Sequence, residues 1–371
     1  MLNRPKLLKE LENISGKLFA DFSDEFSIAR ESWQRIAADP TFLYKIQALH
    51  TSLPLPTWNN HIDETFSISQ SIDQYSVIAI DGSQIYPDKH QGTTCFLLNI
   101  GSVILNYGNS VKPVILDSIP RVFLGDEDKI IEYSTPDYIN LRREQMEFEC
   151  GLESAQRLDS NLPTLLLWDG SLIFWHLESK DPKLRSEFLS RYFRTLQQLY
   201  EHNIINASYL SLPKNRELVN LLKVELSGGN PDDVEIPSLS HILDVHIVNF
   251  FLNPEERTTV FKHRSKTANY YPEPLKPYFF YLHTAYEIVR IELPAWLAHN
   301  EETISLISRI IYDQSIKGRG YPVALAEAHE QAVVKGPDRD LFYHLINKLG
   351  MNNKHHSKIS QKLLKKRSIG I

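Results

Sequence analysis

Cysteine is nearly absent: Cys95 and Cys150 are the two present in 371 residues. That excludes a disulfide framework and a zinc held by thiolates. Long apolar runs are missing too. None approaches the roughly 20 residues a helix needs to cross a bilayer. The N-terminus, Met1 to Phe19, is a charged amphipathic pattern without the apolar block of a signal peptide, so a soluble, cytoplasmic protein with no membrane contact is expected. Excess positive charge is lacking as well, with 40 Lys+Arg against 46 Asp+Glu, a net charge of −6 and a pI near 6.2. A polyanionic partner therefore has to be met by a local patch and not by a global field. No solenoid period is present. What remains is a composition of 42% hydrophobic and 23% charged residues, enough for one large core or two modest ones.

The apolar spacing gives an order of elements. Leu7, Leu8, Leu11, Ile14, Leu18, Phe19 and Phe22 recur at helical intervals among charges, which predicts an N-terminal helical extension over residues 1–70. After a proline-marked stretch, Tyr75 to Asp81 reads as a buried strand ending in Asp-Gly-Ser. Apolar runs at Thr94 to Ile100 and Ser102 to Tyr107 flank Gly101 and read as two closely joined antiparallel strands or as one strand broken by a bulge. Between Tyr138 and Leu158, Leu141, Gln145, Phe148, Leu152 and Ala155 fall on one helical stripe. Leu165 to Asp169 is then a second buried strand ending in Asp-Gly-Ser. Helices are predicted near Leu184–His202, Arg216–Leu226, Glu301–Tyr312 and Val323–Val334, with a strand at Ile205–Leu212. Residues 240–296 read as β-rich, with apolar blocks at His246–Leu252, Tyr278–Leu282 and Tyr286–Leu293.

Two apolar strands that each end in an aspartate can gather acidic groups at one sheet edge. Such carboxylates repel one another unless a cation neutralises them. Hard divalent cations favour oxygen ligands and keep open water positions, which suits phosphoryl transfer. Asp81 and Asp169 are the two anchors under this reading. A helix glutamate is a third, where the apolar stripe favours Glu149 over Glu147. The plain alternative is that Asp-Gly-Ser after a strand is turn chemistry. His329 lies on a predicted helix and suits metal ligation, proton transfer or core packing. Tyr321, at the start of that helix, reaches the same pocket only if its loop turns inward.

These residues resemble the NurA nuclease family. The motifs that carry the resemblance are Ile78-Ala-Ile-Asp-Gly-Ser83, Arg143-Glu-Gln-Met-Glu-Phe-Glu149, Leu166-Leu-Trp-Asp-Gly-Ser-Leu172, Tyr209-Leu-Ser-Leu-Pro-Lys214, Arg290-Ile-Glu-Leu-Pro294 and Gly320-Tyr-Pro-Val-Ala-Leu-Ala-Glu-Ala-His-Glu330, spanning residues 75–335. The resemblance implies an α/β fold with an RNase H-like core. Its mixed sheet opens as an antiparallel meander, continues with a parallel strand and is flanked by helices. It further implies a nuclease using Mn²⁺ (or Mg²⁺) on single-stranded DNA and on 5′ ends of duplex DNA, and a homodimer docked on a HerA-type hexameric ATPase in DNA end resection and repair. Position by position, it places the family's catalytic and metal-binding residues on Asp81, Asp169 and His329, with Tyr321 beside them. Glu147 and Glu149 both fit its helix glutamate. A non-catalytic adaptor of a translocase and a small-molecule phosphotransferase are the competing classes.

For DNA contact, Arg257 to Lys266 supplies Arg257, Lys262, Arg264 and Lys266 around an aromatic residue and a histidine. The stretch from Asn352 to Ile371 carries six Lys/Arg and no acid, leaving −12 on the rest of the chain. The expected organisation is the extension 1–70, a nuclease domain 71–350 and a basic tail 351–371.

Overall fold

The computed structural model describes residues 2–18, 21–68, 72–88, 95–108, 113–124, 135–158, 161–229, 231 and 239–352. Helices α1 (Arg4–Leu18), α2 (Ser23–Ala38) and α3 (Phe42–Ala48) lead into short strands β1 (Leu55–Trp58) and β2 (Thr65–Ser67). Strands β3 (Tyr75–Ile85), β4 (Phe96–Tyr107) and β5 (Ile115–Phe123) follow, then α4 (Pro136–Arg157), β6 (Thr164–Asp169), α5 (Pro182–Glu201), β7 (Asn206–Leu210), α6 (Glu217–Leu226) and α7 (Asp244–Val248). The chain continues through β8 (Glu256–Thr258), β9 (Phe261–Arg264), β10 (Pro277–His283), β11 (Ile288–Pro294), α8 (Ala295–Ala298), α9 (Glu301–Lys317), α10 (Val323–Ala332) and α11 (Gly336–Asn352).

The strand order is β1-β9-β10-β11-β7-β6-β3-β4-β5, with β2 and β8 attached at β10. Within it, β3, β4 and β5 form an antiparallel meander, while β3 to β6 and β6 to β7 pair in parallel. This is the RNase H-like arrangement expected above, widened by four antiparallel neighbours beyond β7.

Alternation along the strands decides which side chains reach which layer, since successive residues point to opposite faces. On β3, Tyr75, Val77 and Ala79 pack with Ile304, Ile307, Ile311, Leu325 and Ala328 of α9 and α10. Ile78 and Ile80 pack on the other face with Phe148 and Leu152 of α4 and Phe188 and Leu196 of α5. On β6, Leu165 and Leu167 join the first layer, whereas Leu166 and Trp168 join the second.

Several expectations change. β3 does not stop at Asp81: it runs to Ile85, with Asp81, Gly82 and Ser83 all paired to β4. The first Asp-Gly-Ser is therefore strand interior and not a turn. The second does turn, with Gly170 at φ 100°. The two runs around Gly101 are one unbroken strand, β4, and the third strand of the meander is the exposed β5. Gly101 makes no break: a Cβ there would stand 2.3 Å from the Ala328 carbonyl oxygen and 2.5 Å from the Ala332 nitrogen. The glycine admits the backbone of α10 onto the sheet. The block His246–Leu252 holds a helical turn in place of a strand, because the Asp244 carboxylate that opens it accepts hydrogen bonds from the Glu217 and Val219 amides at the start of α6. This meets helix-start donors that would otherwise lack partners. Residues 23–67 are not an extension outside the domain: β1 pairs with β9 and β2 with β8, and Trp33, Ile36 and Ile46 share a core with Leu218, Leu222 and Phe279. No helix among the described residues is long and apolar enough to cross a membrane.

Candidate active site

Register brings the two aspartates together. Ile80 is opposite Trp168 in the parallel β3–β6 ladder, so Asp81 and Asp169 are the next pair, just past its last partnered residues, on strands about 4.8 Å apart. Both follow the alternation that faces α9 and α10.

α10 is fixed over this edge at both ends. At its start, the Ala324 amide donates to Gln314 Oε1 (3.1 Å), and Gln314 Nε2 donates to the buried Tyr75 hydroxyl (2.7 Å). At its end, the Ala332 carbonyl accepts from the Ser83 hydroxyl and from Asn99 Nδ2. His329 is thereby placed with Nδ1 2.8 Å from Asp81 Oδ2, at the exposed rim. The tight turn before α10, with Gly320 at φ 122° and a Gly318 whose Cβ would collide with the Tyr321 carbonyl, turns Tyr321 inward. Its ring meets Tyr209 edge-on at 5.5 Å, and its hydroxyl lies close enough to Asp169 for each to shift the other's proton affinity.

The helix glutamate comes from the other face, and here the stripe argument fails. Residues two apart on a helix point about 200° apart. Glu147 is the one that faces the aspartates, with a side chain 16% exposed and Oε1 accepting from Arg143 Nη1 at 2.8 Å. Glu149, expected to be the ligand, is 43% exposed, accepts from Gln145 and leans toward Arg142. It lines a separate cleft with Arg121 and Glu153. Glu147 is off the apolar stripe because the wall it meets is not a hydrophobic side chain but Gly82. A Cβ on Gly82 would stand 2.3 Å from Glu147 Oε1. The bare backbone at this point lets a carboxylate from the far layer approach two aspartates of the near one.

Asp81, Glu147 and Asp169 line a cleft of about 360 Å³ with Arg143, Trp168 and Ser171. Burial pushes the Glu147 carboxyl up to about 8. Arg143 opposes the shift, and Asp81, Glu144 and Asp169 add to it. Desolvation by the cleft walls also raises Asp169, against the neighbouring Tyr321 hydroxyl, which favours its charged form. The site is short of positive charge. Among the described residues no three His, Cys, Asp or Glu side chains yet stand close enough to enclose an ion. Asp81 is held by His329 and Glu147 by Arg143, with Tyr321 next to Asp169.

A family model described as the NurA domain matches residues 75–334. The chain belongs to the NurA domain family. Among curated proteins none matches. Solved structures that resemble it include a crystal structure of NurA (11% identity, 91% of this chain and 97% of that one, TM-score 0.43). Others are NurA bound to dAMP and manganese (12% identity, 94% and 98%, TM-score 0.34) and LC9-RNase H1 (8% identity, 41% and 71%, TM-score 0.23). Likenesses this distant add nothing to the family assignment.

In this NurA domain a further set of residues supports the Asp169 loop. Glu292 Oε2 accepts from the Ser171 hydroxyl (2.7 Å) and the Leu172 amide (2.9 Å), and its other oxygen accepts from Arg290 Nε (2.8 Å). Arg290 is fully buried, lies 3.6 Å from the Phe279 ring centre and pairs with Glu217 at 2.9 Å. Burial alone would raise Glu217, yet Arg290 and His263 outweigh it and hold the carboxyl low. The sequence signal was an Arg-x-Glu alternation in an otherwise apolar strand, which places both charges on one inward face.

The basic segment does not act as one patch. Arg257 is buried, ion-paired with Glu301 and stacked on Phe66, so it is unavailable to a phosphate. It faces inward because strand alternation sends Arg257 to the core. Arg264 donates to the Ile46 carbonyl, Lys262 lies near the Tyr278 ring, and Lys266 is exposed. The basic tail beyond residue 352 lies outside the described residues.

Proposed function

We propose that this chain is a deoxyribonuclease that hydrolyses phosphodiester bonds with a divalent metal ion, Mn²⁺ or Mg²⁺. The observation that carries the reading is the convergence of Asp81, Asp169 and Glu147, three acids distant in sequence, on one cleft at the end of the parallel β3–β6 ladder. The donor set fits a hard cation, since it is made of carboxylate oxygens and is short of positive charge. Asp81, Asp169 and Glu147 are the residues to hold it, with His329 beside them. When bound, the ion supplies activation of water and neutralisation of charge on the scissile phosphate.

The chain's own groups do the rest. His329 orients Asp81 through its 2.8 Å contact at the exposed rim of the cleft. Tyr321 orients Asp169 and keeps its own proton, since burial and the neighbouring Asp169 push its hydroxyl well above the usual range. Arg143 bridges the Gly82 carbonyl and Glu147, fixing the carboxylate that the far layer contributes. The family resemblance extends the reading to single-stranded DNA and 5′ ends as substrates, 5′–3′ exonuclease and single-strand endonuclease action, a cytoplasmic homodimer, and a HerA-like hexameric ATPase in end resection and repair. Lys262, Arg264 and Lys266 remain as surface groups for DNA, without Arg257.

The test is cleavage of labelled single-stranded DNA with and without Mn²⁺ by the wild type, Glu147→Gln and Glu149→Gln. Glu147→Gln is expected to lose roughly 100-fold or more in rate, as for removal of one preorganised charged group, and Glu149→Gln to stay near wild type. Equal losses, or a wild type inert with Mn²⁺, overturn the assignment.

A further inference from the structure

A second cleft of about 430 Å³ adjoins the acidic one and shares Arg143 and Glu144 with it as a common wall. It lies where β3 continues past Asp81. On the α4 side Gly82 and Gln84 of that strand succeed one another at about 7 Å, and Tyr86 follows just past its end. Facing them, α4 presents Glu147, Arg143 and Asn140 a turn apart. Asn140 Oδ1 accepts from the Tyr86 hydroxyl (2.6 Å) and from Gln84 Nε2 (3.4 Å).

The chemistry of this cleft differs from that of a phosphate site. Arg143 and Lys180 are balanced by Asp137 and Glu144, with Lys180 2.8 Å from Asp137. A cleft for the backbone of DNA carries net positive charge. Here each carboxylate already has a partner, Glu144 with His176 at 3.0 Å and Asp137 with Lys180, so no excess of positive charge is left, and the cleft offers two carboxamides and an exposed aromatic ring. A carboxamide presents both a donor and an acceptor, so a Gln–Asn pair can meet the edge of any base. A tyrosine face stacks on any base as well.

We propose that this cleft binds the base of a nucleotide next to the bond cut in the acidic cleft, stacked on Tyr86 with Gln84 and Asn140 at its edge. The inference rests on the nuclease reading of the acidic site. It accounts for a strand that outlasts its catalytic aspartate by four residues, Gly82 to Ile85, and makes base recognition tolerant of sequence.

The test uses the full chain and a fluorescently labelled oligothymidylate, with affinity read by anisotropy in EDTA, beside the same oligonucleotide carrying abasic sites. Tyr86→Ala is expected to weaken binding of the normal strand by roughly 5- to 100-fold, and Tyr86→Phe to restore most of it. The abasic strand should bind the wild type more weakly and be indifferent to Tyr86→Ala. Should Tyr86→Ala fail to fold by thermal melting, Gln84→Ala takes its place, with a smaller loss confined to the normal strand. Unchanged affinity, or an equal loss on both strands, overturns the base site. A wild type that still cleaves DNA with Mn²⁺ in that event leaves the nuclease reading standing. A wild type that neither binds nor cleaves removes both.

Discussion

Gly82→Ala isolates the geometry on which the site depends, because it adds one methyl group and removes no functional group. A Cβ at this position would stand 2.3 Å from Glu147 Oε1 and 2.9 Å from Arg143 Cγ. Carbon and oxygen in ordinary contact are more than 3 Å apart, so the carboxylate has to retreat by about 1 Å. Glu147 is the end of a flexible side chain, and Gly82 lies in an extended strand without a positive φ, so the fold itself tolerates the change. Replacing a strand glycine by alanine recovers about 0.5–1 kcal/mol of backbone entropy, which offsets part of the lost Arg143–Glu147 contact. The expected result is a melting temperature within a few degrees of wild type and a cleavage rate lowered about 100-fold, the usual effect of misplacing a catalytic group by about 1 Å. Stopped-time cleavage of end-labelled single-stranded DNA in Mn²⁺ measures the second quantity, and calorimetry in EDTA the first. Wild-type cleavage by Gly82→Ala would refute the placement of Glu147 against the aspartates. A collapse of the melting temperature would instead show that Gly82 serves packing.

Two further outcomes follow from the same structure. In EDTA, the Glu147 carboxyl, raised from 4.5 to about 8 by burial, keeps in the folded state a proton that the unfolded chain releases near 4.5. Stability from this group is therefore fully present below about pH 4.5 and is lost as pH rises toward 8, by at most about 5 kcal/mol. The melting temperature should decline over that window more steeply for wild type than for Glu147→Gln, and identical slopes would count against the burial of this carboxyl. Arg290→Met leaves Glu217 and Glu292 buried without their cation. Urea denaturation should show a loss of about 3–5 kcal/mol, whereas a loss below 1 kcal/mol would mean that Arg290 is not what neutralises them.

Sequence patterning reached the elements that have a strong period or a sharp boundary. The stripe Leu141, Gln145, Phe148 and Leu152 is indeed the buried face of α4, and the apolar runs ending at Asp81 and Asp169 are β3 and β6. The same pattern misled where the neighbour was unusual. Glu149 borders the apolar stripe but meets solvent, while Glu147 lies off the stripe and meets Gly82. Periodicity identifies faces that pack on hydrophobic surface, and a catalytic carboxylate facing bare backbone leaves no such mark. Arg257 shows the converse failure, since a basic residue in a basic run is buried when strand alternation turns it inward over Phe66.

By itself the sequence determined that two aspartates follow apolar strand segments, that a helix lies between them in the chain, and that a histidine follows at a distance on another helix. These are consequences of local propensity and period, which neighbouring residues set. Whether the acids meet was decided by tertiary structure alone: by the parallel register that sets Asp81 beside Asp169, by Gly82 admitting Glu147 from the opposite layer, and by Gly101 admitting α10 with His329. Each of these is a contact between segments far apart in the chain, and the two at Gly82 and Gly101 are made possible by the absence of a side chain, which carries no periodic signal.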